Sequence, residues 1–142
     1  MVLKEDGSVW ATGWNEYGQL GDGTTIDRAS YVQVVSSGVK AIAAGRRHSM
    51  VLKEDGSVWV TGCNEFGQLG DGSTTNSEEF VIVLSGGVIV AAGAFRSMVV
   101  MEDGSFWAAG SNTQNTQDTP ENDSMMHKRT FVRLAPFCDG SA

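Results

Sequence analysis

The chain has 142 residues, 41% hydrophobic and 19% charged, with a formal net charge of −7. These values fit one globular domain, and no apolar run approaches the roughly 18 residues that a membrane-spanning helix needs. The acidic balance argues against nucleic acid, whose phosphates call for a basic stripe.

Eighteen glycines stand against two prolines, the composition of a turn-dense β protein whose backbone often needs positive φ. The opening MVLKEDGSVW has no basic stretch followed by an apolar core, so the expected chain is intracellular and non-secreted. Cys63 and Cys138 are the two cysteines and imply no disulfide framework. The compact basic groups are Arg46-Arg47-His48 and His127-Lys128-Arg129, both read as solvated charge.

Self-similarity organises the whole chain. MVLKEDGSVWATGWNEYGQLGDGTT begins at Met1, MVLKEDGSVWVTGCNEFGQLGDGST at Met50, and MVVMEDGSFWAAGSN at Met98. Over 25 positions the first two copies differ only at Ala11/Val60, Trp14/Cys63, Tyr17/Phe66 and Thr24/Ser73. The spacing divides the chain into repeats 1–49, 50–97 and 98–142, the third degenerate and carrying a polar loop at 111–129.

Each repeat reads as four short strands. Met50–Lys53 and Ser57–Thr61 are joined by Glu54-Asp55-Gly56, in which Asp-Gly is a strong hairpin signal that suggests a type I′ turn. Tyr31–Val35 has counterparts in Phe80–Leu84 and Phe131–Leu134, and Val39–Ala44 has one in Val88–Ala92. The Ala-Ala-Gly endings at Ala43–Gly45 and Ala91–Gly93 place that strand nearest a crowded central axis. Trp10, Trp59 and Trp107 recur at one position and are expected to pack blade against blade. With no helical periodicity, the fold class is all-β: a partial, open β-propeller of about three four-stranded antiparallel blades.

Between strands runs a loop with Gly13, Gly18, Gly21 and Gly23, repeated at Gly62, Gly67, Gly70 and Gly72. Glycines so placed suit a path that turns sharply and lies against a neighbour. They form no phosphate cradle, because no Gly-Lys-Ser/Thr follows and no helix opens there.

Catalytic, metal and cofactor sites are not expected. His48 has Arg96 as its repeat counterpart, so it reads as a structural hydrogen-bonding residue. Cys63 aligns with Trp14 and Ser111, which argues against a nucleophile. Asp71–Thr75 lacks the calcium-loop pattern. The candidate partner-binding residues are aromatics and arginines of two loops: Trp14, Tyr17 and Phe66 in the glycine-rich loop, and Arg46, Arg47, Phe95 and Arg96 in the turn after the small residues. These types anchor protein interfaces. Within the polar loop, Met125-Met126 is a further docking candidate, and Asn122-Asp123-Ser124 fits a glycosylation sequon discounted for want of a signal peptide.

The string G-x-N-E-[YF]-G-Q-L-G, followed by Gly45–Ser49, closely resembles the repeat of the regulator of chromosome condensation family. The resemblance implies a seven-bladed propeller in complete members, which act as guanine-nucleotide exchange factors for a small GTPase, as parts of ubiquitin ligases, as a plant UV-B photoreceptor or as enzyme inhibitors. The photoreceptor reading is disfavoured, since its Gly-Trp-Arg-His-Thr segments are Gly45-Arg46-Arg47-His48-Ser49 and Gly93-Ala94-Phe95-Arg96-Ser97 here.

Three repeats fill less than half of such a ring. A fragment, a self-associating chain, and an accessory subunit of a larger complex are the three readings, the last two covering open blade edges by self-association or subunit contacts. The expected function is a non-enzymatic protein-interaction or structural module with protein partners, no nucleic acid and no direct membrane insertion. The alternative is a fragment of an exchange factor or of a ubiquitin-ligase-associated propeller.

Overall fold

The computed structural model describes residues 1–111 and 127–134. Among these, every regular element is a β-strand: β1 Val2–Leu3, β2 Val9–Gly13, β3 Arg28–Val35, β4 Val39–Ala44, β5 His48–Lys53, β6 Val58–Gly62, β7 Ser77–Leu84, β8 Gly87–Ala92, β9 Arg96–Met101, β10 Phe106–Ser111 and β11 His127–Arg133. They form three antiparallel meanders, β1-β2-β3, β4-β5-β6-β7 and β8-β9-β10-β11. The expected open blades are present, the first with three strands in place of four. Strand β4 lies against β8, and β1 against β4, so consecutive sheets stack face to face along their inner strands.

The hairpin turns lie where the sequence places them, over Glu54-Asp55-Gly56, but their conformation is not type I′. Asp55 has negative φ, Gly56 sits at φ +83°, and the Gly56 amide donates to Lys53 O at 3.0 Å while Lys53 N donates to Ser57 O at 2.9 Å. This is a three-residue loop, a tight turn closed by a left-handed glycine, not a type I′ pair. Side chains then lock it. Asp55 Oδ1 accepts from the Ser57 amide at 2.9 Å and hydroxyl at 2.6 Å. Trp59 Nε1 donates to the same Ser57 Oγ at 2.8 Å, with Lys53 Nζ 4.2 Å from the indole centroid. Asp6-Ser8-Trp10 and Asp103-Ser105-Trp107 repeat the relay. The Ser57 hydroxyl and amide hold the Asp55 carboxyl below its ordinary pKa. The glutamate-aspartate turn is thus a hairpin lock that fixes the orientation of each tryptophan.

The outer strands begin three residues earlier than their apolar runs suggest. Gly13 pairs with Arg28 and Gly62 with Ser77 across register shifts, which carry polar residues into the ladder. The third sheet does the same: Ser111 ends β10 and His127 opens β11, so the expected polar loop 111–129 is shorter at both ends. Its remainder, with Met125-Met126 and the sequon at 122–124, lies outside the described residues, as does Cys138.

Two apolar seams hold the sheets together. Between the first and second, Val9, Val39 and Val51 are buried with Trp59 and Phe80 packed beside them. Between the second and third, Met50, Leu52, Val58, Val60, Leu69, Val99, Ala109 and Phe131 form the larger core, flanked by Trp107. Trp59 and Trp107 therefore do pack between blades. Burial follows the neighbour, not the residue type. Val58 is fully buried under the third sheet, whereas its counterpart Phe106, on the outer face of that sheet, is 55% exposed; Val51 and its counterpart Val2 stand at 0% and 39%.

Candidate interaction surface

The glycine-rich loop is built around one asparagine. Asn64 is fully buried; its Nδ2 donates to Asp71 Oδ1 at 3.0 Å and to the carbonyls of Ser73 and Thr75, and its Oδ1 accepts from Leu69 N at 3.0 Å. Asn15 does the same work in the first repeat. Gln68 Oε1 then receives the Phe66 amide, and Gln19 Oε1 the Tyr17 amide, both at 2.9 Å. Each loop is thereby rigid, with an aromatic residue at a fixed place near its tip.

Each loop also clamps onto the next sheet. Gly23 N donates to Glu78 O at 3.0 Å and Gly72 N to Arg129 O at 2.7 Å. Ser49 Oγ donates to Gln19 O at 2.7 Å and Ser97 Oγ to Gln68 O at 2.6 Å. Gly21 shows why glycine is required: at φ +74°, a Cβ there would overlap the Phe80 ring.

The clamp carries the loop tip to the turn between the next sheet's two inner strands, and six of the seven candidate residues meet there. Arg47 lies over the Tyr17 ring at 4.9 Å and the Trp14 ring at 5.7 Å, and the two rings meet edge-on at 5.7 Å. One sheet further, Phe66 packs on Phe95 at 4.9 Å, and Arg46 lies 5.8 Å from the Phe95 ring. Because Arg46 and Arg47 are adjacent, the two clusters join into one ridge. Trp14 is 48% exposed on it, Arg46 is exposed, and Tyr17, Arg47, Phe66 and Phe95 are half-buried. Arg96 stands apart: its Nε donates to Ser111 O at 3.2 Å beside Met98, Ala108 and Val132.

Half of this arrangement is scaffold. Tyr17 and Phe66 occupy one repeat position, as do Arg47 and Phe95, so an aromatic ring packed on the next sheet's turn recurs at each seam. The rest is particular to the first seam. Trp14 is exposed where its counterpart Cys63 is 1% exposed. Arg47 holds a guanidinium over two rings while its Nε is buried and has no hydrogen-bond partner.

His48, directly after this pair, points inward. It is 1% exposed, its Nε2 lies 3.0 Å from Ser97 Oγ, and burial pushes its pKa down to about 4 against a small opposing pull from the Arg96 carbonyl. That geometry is the expected structural hydrogen bond. Among the described residues no group of three or more His, Cys, Asp or Glu converges as a metal set. Residue-type reasoning missed a cleft of about 440 Å³ in the first seam, where Lys53, Trp59, Glu79 and Phe80 face Gln33 and Val35. Met101 and Ile82 stand at the Lys53 and Gln33 positions in the second seam, which was the available signal.

Comparison with known proteins bears on the fold and the repeat. The chain superposes on human WBSCR16 with a TM-score of 0.76 at 22% identity, over 94% of this chain and 36% of that one. It superposes on yeast RCC1 (Prp20), solved bound to Kap60, with a TM-score of 0.73 at 23% identity, over 93% and 34%. A second structure of Prp20p from Saccharomyces cerevisiae, described with its binding properties to Gsp1p and histones, gives 0.66 at 25% identity, over 93% and 35%. The ultraviolet-B receptor UVR8 of Arabidopsis thaliana is 38% identical over 53 residues, 35% of this chain and 12% of the receptor. The chain thus spans about a third of the length of these solved relatives and a smaller part of the receptor. The regulator of chromosome condensation (RCC1) repeat matches residues 6–52 and 55–100, and a second description of that repeat matches 39–68. With most of its length matched and the loop-clamped blades in place, the chain belongs to the regulator of chromosome condensation repeat family.

Proposed function

We propose that the chain is a protein-interaction module without a catalytic site of its own, and that it binds through the ridge of Trp14, Tyr17, Arg46, Arg47, Phe66 and Phe95. The observation that carries this reading is the Arg47 guanidinium held over Trp14 and Tyr17. Rings and guanidinium are already placed, so a partner meets them with little side-chain entropy left to lose. Contacts of this kind contribute about 0.5–2 kcal/mol each. Arg46, beside Arg47, is exposed on the ridge, and its guanidinium fits a carboxylate or carbonyl of the bound protein. Within an assembly, the module serves as an accessory subunit whose open sheet faces meet other subunits.

The test is affinity capture from the native source with wild-type chain and the Trp14→Ala/Arg47→Ala double variant. The reading expects partner capture to fall with the melting temperature unchanged; loss of both together makes the ridge part of the core and rejects it.

A second reading rests on the relation to Prp20p, described with binding to Gsp1p and histones: a segment of an exchange factor for a small GTPase. Accelerated nucleotide release from small GTPases by this chain supports it, and unchanged release removes it.

A further inference from the structure

We propose that the groove beside Trp14 receives an arginine side chain of the bound protein. The inference rests on the ridge being the binding face, and it names the chemistry that the partner brings there. Trp14, Glu16, Thr25, Ile26 and Asp27 line an open groove of about 460 Å³ in the first glycine-rich loop. Ile26 is 60% exposed, and Trp14, Glu16, Thr25 and Asp27 are exposed with it. Among the described residues neither carboxylate has an ion pair, and the neighbouring Arg28 is committed to Asp22 at 2.7 Å.

The second loop separates what the fold needs from what the groove adds. Asp27 Oδ1 accepts from Asn15 N at 2.8 Å, and Asn76 Oδ1 accepts from Asn64 N at 2.8 Å in the same place. An amide therefore does the structural work, and the charge of Asp27 is additional to it. Ile26 stands where the second loop has Thr75. The buried asparagines reach only the backbone carbonyls of Ile26 and Thr75, so neither of those side chains sets the loop path. Trp14 stands where the second loop has the buried Cys63. Three departures from the second loop thus gather on one groove: an indole, a branched apolar side chain and a second carboxylate beside Glu16.

That set matches arginine. A guanidinium stacks on an indole face and gives paired N–H donors to a carboxylate. Its methylene stem lies along apolar surface, which Ile26 provides. The groove has two carboxylates on a chain of net charge −7, so it attracts a cation and repels an anion. With Arg46 exposed elsewhere on the ridge, the face carries both signs of charge, which orients the partner on it.

The experiment titrates N-acetyl-arginine amide into the 142-residue chain at matched ionic strength, following the Trp14 indole and the Glu16 and Asp27 amides by NMR. N-acetyl-citrulline amide, of similar shape and uncharged, is the control. Glu16→Gln/Asp27→Asn is the second chain, in which residue 27 becomes the amide that Asn76 supplies in the second loop. The proposal expects saturable shifts with the arginine probe alone. In the variant, binding weakens about three- to tenfold and the melting temperature stays unchanged. Equal shifts from both probes overturn the proposal, as do absent shifts, undiminished binding by the variant, or a lowered melting temperature in it. Partner capture separates this inference from the ridge reading. Capture reduced by Trp14→Ala/Arg47→Ala and by the charge variant supports both. Full capture by the charge variant alone overturns the inference and leaves the ridge standing. Full capture by the two variants alike overturns the ridge reading and the inference with it.

Discussion

His48 Nε2 lies 3.0 Å from Ser97 Oγ across the seam between the second and third sheets. Ser97 Oγ gives its own hydrogen to Gln68 O at 2.6 Å, so His48 donates through Nε2 and leaves Nδ1 as a buried, unpartnered acceptor. Burial depresses the folded-state pKa from 6.5 to about 4. A depressed histidine means that the unfolded chain takes up a proton the folded one resists. The stability contributed by neutral His48 is complete above about 6.5, falls as the pH drops from there to about 4, and does not change further below. The size is at most about 3 kcal/mol, at 1.36 kcal/mol per unit. Urea melts between pH 7 and pH 4.5 should show this slope, and His48→Gln should flatten it.

Val58 and Phe106 occupy one repeat position with opposite surroundings, 0% and 55% exposed. Val58→Asp places an unpaired carboxylate in the larger seam and should cost more than about 4 kcal/mol, enough to prevent cooperative folding. Phe106→Asp should stay within about 1 kcal/mol of wild type. It should also reduce any concentration-dependent association read by light scattering, since it charges an exposed apolar face.

Gly21 and Gly13 separate steric demand from backbone demand. Both have positive φ, at 74° and 114°, but a Cβ at Gly13 meets nothing within 4 Å while one at Gly21 overlaps Phe80. Gly13→Ala should cost about 1–2 kcal/mol through backbone strain alone. Gly21→Ala adds overpacking against the ring and should cost about 2–5 kcal/mol in chemical denaturation. Equal losses would show that the loop does not clamp the second sheet.

The blades were legible because their chemistry repeats. Val39–Ala44 was predicted to the residue, its apolar run bounded by Gly38 and Gly45. Arg28-Ala29-Ser30 and Ser77-Glu78-Glu79 were not seen as strand, because polar residues there pair only through the register shifts at Gly13 and Gly62. For the second of them, the preceding loop also bonds Glu78 O. These are tertiary demands with no local signal. The hairpin linker is legible as Glu54-Asp55-Gly56, but its turn type is not, because Asp-Gly suits both a type I′ pair and a turn closed by one left-handed glycine, and the Gly56–Lys53 bond selects the second. At the ridge, residue types pointed to the right loops, but Tyr17 and Arg47 come from different sheets and meet only through the clamp. Arg96 was expected in the same turn, but it opens β9 as His48 opens β5, and its side chain is held at Ser111 O instead of on the ridge.

The central claim, that the loop ridge is the binding face, is tested most directly by hydrogen exchange with mass spectrometry on the chain with and without its captured partner. The account predicts new protection at Trp14–Tyr17, Gly45–Arg47 and Phe95, with the outer strands Arg28–Val35 and Ser77–Leu84 unchanged. Protection confined to those outer strands, with the ridge unaltered, would contradict it.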